Sequence, residues 1–106
     1  MFNIFWKKNN TNFYKFKDPQ DTPCFTCNHV LEKDREILYV THDVDDGSWQ
    51  FLCGLNDHSE TNARIISLKN ITEIDPTVND LFEMPVGFGA ERKSINEKWI
   101  PFKRRL

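Results

Sequence analysis

EILYVTHDVDDGSWQFLC, residues 36–53, decides how this chain folds. Residues 36–42 are rich in β-branched and aromatic side chains and read as a mostly buried strand. Residues 43–47, DVDDG, supply the acids and the glycine that a tight turn uses. In WQFLC, Trp49, Phe51 and Cys53 fall on one face and Gln50 and Leu52 on the other, because strand side chains alternate. The stretch predicts a β-hairpin with an acidic tip, in which Trp49 and Phe51 are buried on a strand paired with the one holding Leu38 and Val40.

Downstream, residues 54–62 form a polar loop and ARIIS, 63–67, another short strand. Ser67 is placed to cap a helix over 68–74, where Leu68, Ile71 and Ile74 recur every third residue. Asp75-Pro76 restarts a helix, with Asp at the N-cap and Pro at the first position. Val78, Leu81 and Phe82 give it an apolar face, and Met84-Pro85 stops it. After the bends at Gly87 and Gly89, residues 88–94 resume as a strand. Upstream, Asp18-Pro19 and Thr22-Pro23 disfavour helix and make 18–23 a linker. Residues 24–36 read as turn-rich. Residues 1–17 form a basic aromatic arm or hairpin, and 98–106 a basic tail. The order of elements predicts one α+β domain over 1–106: an antiparallel sheet with a central β-hairpin and one or two short helices packed on one face.

Composition supports a packed core. Of 106 residues, 39% are hydrophobic, with nine Phe, three Trp and two Tyr, so neither disulfides nor a metal are needed for folding. The opening MFNIFWKK reaches lysine too early for the apolar stretch of a signal peptide. No apolar run is long enough to span a membrane. An odd cysteine count of three, without an export signal, points to reduced thiols in a cytoplasm. The net charge of −2 hides segregation, because all 16 acids lie in residues 18–97 against six basic residues, a local charge of −10.

The segment from Asp43 to Arg92 resembles the immunity-protein-33-like family, formerly a bacterial domain of unknown function. The resemblance rests on Asp45, Asp46, Gly47, Trp49, Phe51 and Gly54, on Asp75-Pro76 at the end of a helix, and on Gly87 with Arg92. It implies an α+β domain found in bacteria, often near contact-dependent or secreted toxins, with no enzymatic activity attached. Family members usually lack a Cys-x-x-Cys pair and carry a small non-cysteine residue where this chain has Cys53. The thiols therefore need their own explanation.

CFTCNHV, residues 24–30, holds two of the three cysteines. Zinc requires four tetrahedral ligands, and Cys24, Cys27, Cys53 and His58 are candidates, with His29 and His42 as spares. The alternative is that Cys53 is an apolar core residue beside Trp49 and Phe51, and that Cys24 and Cys27 are ordinary reduced thiols. A thioredoxin-like redox pair lacks the strand–helix context it needs, and no nucleophile–base pair marks an enzyme. The acids of HDVDDG are not at calcium-loop positions, and GFGAER lacks the spacing of a phosphate loop. The basic aromatic N-terminus suits single-stranded nucleic acid, but the acidic body repels phosphate. That same acidity suits a protein partner with a basic surface, such as a toxin or enzyme cleft. Asp43, Asp45 and Asp46 at the hairpin tip, with Asp57 and Glu60 in the next loop, are the predicted contacts.

Overall fold

The computed structural model describes residues 14–55 and 62–104. The elements are β1 (Pro23–Cys27), α1 (Asn28–Leu31), β2 (Tyr39–His42), β3 (Trp49–Leu52), β4 (Ala63–Ser67), α2 (Leu68–Ile74), a 3-10 helix (Pro76–Leu81), β5 (Phe88–Glu91) and β6 (Ile100–Lys103). The strands form one six-stranded sheet in the order β4-β1-β3-β2-β5-β6.

The predicted hairpin lies at the centre of this sheet. Val40 pairs with Phe51 and His42 with Trp49 across the antiparallel β2–β3 ladder. Trp49, Phe51 and Val40 are all buried. Gly47 closes the turn at φ 73°, a left-handed conformation that glycine adopts without a Cβ penalty.

The sheet is mixed and not wholly antiparallel. β1 runs parallel to β3, with Phe25 opposite Gln50 and Thr26 opposite Phe51, while every other ladder is antiparallel. Thr26 Oγ1 donates to the Phe51 carbonyl at 2.6 Å inside this seam. Within the expected turn-rich stretch over 24–36, residues 24–31 are therefore a strand leading directly into a short helix, and the turns are confined to residues 32–35. Pro23 is tolerated because it opens the strand. The expected basic tail likewise contributes a strand. β6 pairs with β5 at the sheet edge, where Pro101 is also permitted. Phe102 lies so close over Gly89 that a Cβ there would meet its ring at 2.6 Å.

One core links the sheet to the helices. Cys24, Val40, Phe51 and Ala90 from the strands pack in the same cluster as Val30, Leu68, Ile71 and Val78. Phe25, Ile65 and Ile100 alternate away from it and are exposed. α2 starts as expected, with Ser67 Oγ accepting from the Asn70 amide at 3.1 Å. Its Leu68 and Lys69 amides, which lack intrahelical partners, donate to the carbonyls of Thr22 and Gln20 in the 18–23 linker. Asp75 caps the next helix through Thr77 N at 3.0 Å, and that helix is of the 3-10 type. Residues 1–13 of the predicted N-terminal arm lie outside the described residues. The end of that arm is docked, since Phe16 is buried edge-on against Trp49 at 4.9 Å.

Candidate functional site

Cys27 is both the last residue of β1 and the N-cap of α1, so the strand delivers its thiol to the point where the helix begins. His29 follows within α1, and Cys53 directly follows β3, the strand parallel to β1. The parallel pairing brings these two strand ends to the same end of the sheet. The two sulfurs and a ring nitrogen of His29 lie within 4.8 Å of one another, a grouping that can hold a metal ion. Cys27 and Cys53 are buried and His29 is half-buried.

A cation already addresses these donors. After α1 the backbone turns back through Lys33 at φ 62°, and the Arg35 amide donates to the His29 carbonyl at 3.3 Å. This places Arg35 Nη1 3.3 Å from His29 Nδ1 and 3.6 Å from Cys53 Sγ. A guanidinium only donates, so His29 Nδ1 is the acceptor and its lone pair faces Arg35. Burial pushes the Cys27 thiol pKa up, while the backbone N–H groups of Val30 and Cys53, aimed at its sulfur, pull the other way.

Cys24 is not a member of this group. An extended chain of three residues covers about 10 Å, so a Cys-x-x-Cys laid along a strand separates its thiols where a turn would join them. Cys24 is buried in the core, and burial pushes its pKa up to about 12. His42 is engaged elsewhere, stacked on Trp49 at 3.9 Å with Nδ1 bonded to the Met84 carbonyl at 2.7 Å. His58, Asp57 and Glu60 lie outside the described residues. Arg35 carried no signal in the sequence, because its approach depends on the backbone reversal after α1.

The hairpin tip divides its three acids by task. Asp43 accepts from Gln50 Nε2 at 2.8 Å and forms an ion pair with Arg104, which ties the tip to the end of β6. Asp46 accepts from the hydroxyl and amide of Ser48, and those bonds hold its pKa below the usual carboxylate value. Asp45 is exposed and, among the described residues, unpaired. No helix among the described residues is long and apolar enough to cross a membrane.

The Immunity protein Imm33 domain matches residues 24–103. This chain belongs to that family. The Imm33 match opens in β1 and closes in β6, so it takes in the whole six-stranded sheet, the cysteine–histidine group and the acidic tip. No curated protein and no solved structure matches the chain.

Proposed function

We propose that this chain is a non-enzymatic immunity protein of the bacterial cytoplasm that neutralises a protein toxin by stoichiometric binding, with its acidic loops as the contact. The Imm33 match over 24–103 carries the reading. The charge of −10 between residues 18 and 97 supports a partner with a basic surface, since complementary charge speeds docking and suppresses wrong partners. Asp45 is the described tip acid available to a partner, and Asp57 and Glu60 extend the contact in this proposal.

The test is co-expression with a toxin encoded beside this reading frame. Protection of growth should track the molar ratio, be complete near equivalence, and accompany a complex isolable by size-exclusion chromatography. Protection at far less than one immunity chain per toxin would point to catalysis, and no protection would remove the pairing. The cysteine–histidine group favours a second reading, a small zinc-stabilised domain in which His29 joins Cys27 and Cys53.

A further inference from the structure

We propose that Cys27, His29 and Cys53 bind a thiophilic d10 metal ion, zinc(II) or copper(I), and that Arg35 competes with the ion for the same lone pairs. The inference rests on the metal reading of this group and is independent of toxin binding.

The donor set is soft, and thiolates with an imidazole select zinc(II) and copper(I) over harder ions. Bond lengths of about 2.3 Å to sulfur and 2.0–2.1 Å to nitrogen require donors about 3.5–4 Å apart. The three donors, within 4.8 Å of one another, need only a small contraction to meet an ion. A further feature prepares them. The His29 Nδ1 lone pair already points at a cation, the Arg35 guanidinium.

Binding replaces the contacts of Arg35 with metal–donor bonds and releases the thiol protons to solvent. With zinc(II), a water molecule takes the fourth position and the two thiolates cancel the charge of the ion, so the centre is neutral. Arg35 has somewhere to go. It lines a cavity of about 280 Å³ shared with Asp34 and Glu36, whose carboxylates can receive the guanidinium.

The reduced full-length chain tests this without substitution. Titration with cobalt(II), a spectroscopic stand-in for zinc, should produce thiolate-to-metal charge-transfer absorption that saturates at one equivalent and bleaches on adding zinc. A separate arm measures copper(I) uptake against a chromophoric chelator, and uptake at one equivalent in either arm supports the site. Cys27→Ser and Cys53→Ser should each lose about half the cobalt charge-transfer intensity, one thiolate of two. Cys24→Ser should retain all of it. Arg35→Ala should tighten binding several-fold, whereas a purely structural arginine would loosen the site when removed. Absence of binding in both arms, an effect of Cys24→Ser equal to that of Cys27→Ser, or weaker binding by Arg35→Ala overturns the proposal. Metal that stays bound after Cys27→Ser and Cys53→Ser refutes this site and leaves a zinc-stabilised domain standing. Metal bound here with no change in melting temperature on chelation does the reverse.

Discussion

Arg92 and Asp75 meet in a buried ion pair, Nη2 to Oδ2 at 2.8 Å, with both side chains almost wholly inaccessible to solvent. Arg92 Nε and Nη2 also donate to the Ile37 carbonyl, Nη1 donates to Thr77 Oγ1, and the guanidinium stacks over Trp99 at 4.0 Å. One side chain thus joins the end of β5, the approach to β2, and the α2–3-10 junction where Asp75 caps. The resemblance to the immunity family placed both residues in its pattern, and the fold supplies the reason: they hold layers together.

Asp75→Ala leaves Arg92 charged and enclosed without its counter-ion. Removing one partner of a buried pair costs about 3–5 kcal/mol. Urea denaturation should show a drop of this order, and Arg92→Lys should also destabilise, because an ammonium cannot reproduce the fork that reaches Ile37 and Asp75 together.

Trp49→Ala should cost about 3–5 kcal/mol, the range for emptying a large aromatic site in a core. Trp49 is 3% exposed, stacks on His42, and donates Nε1–H to Asp18 Oδ2 at 3.3 Å. A denaturation midpoint that barely moves would contradict the central hairpin.

The tip acids should separate by experiment. If a toxin is bound as proposed, Asp45→Lys should slow that association and flatten its salt dependence while leaving stability unchanged, because Asp45 is exposed and unpaired among the described residues. Asp43→Ala should instead lower the melting temperature, since it frees both Gln50 and Arg104. Stopped-flow association at two salt concentrations and thermal melts read the two effects apart.

Cys24 gives a pH prediction. Burial raises its pKa from an ordinary 9.0 to about 12. Between these values the unfolded chain has released a proton that the folded chain retains, so this thiol lowers stability as pH rises through that window and has no effect below it. At pH 8, Cys24 should resist iodoacetamide in the native protein and react once the chain is unfolded, which mass spectrometry of the alkylated peptide can read.

The hairpin was legible because period-two patterning and turn chemistry are local. The Ser67 and Asp75 caps were legible for the same reason, each needing only the next few residues. β1 was not, because its parallel partner lies twenty-five positions away, Phe25 opposite Gln50, and two prolines on its approach read as linker. β6 was hidden by Pro101 and the basic residues beside it, which suit an edge as well as a tail. In the thiol cluster the ligand types were visible and the grouping was not. Whether Cys24 or His29 joins Cys27 depends on whether residues 24–27 are extended or coiled, and the pairing of β1 with β3 and β4 makes them extended.

The place of β1 in the sheet also governs the order of events during synthesis. It is the first described strand to leave the ribosome, yet both its neighbours, β3 and β4, are encoded later. β2 and β3 can close as a hairpin as soon as they emerge. Until β3 and β4 are both made, Pro23–Cys27 has an open hydrogen-bonding edge and a pair of thiols exposed to solvent, the condition in which strands mispair and cysteines cross-link. Translation speed between codons 27 and 67 therefore sets how long the nascent chain is vulnerable.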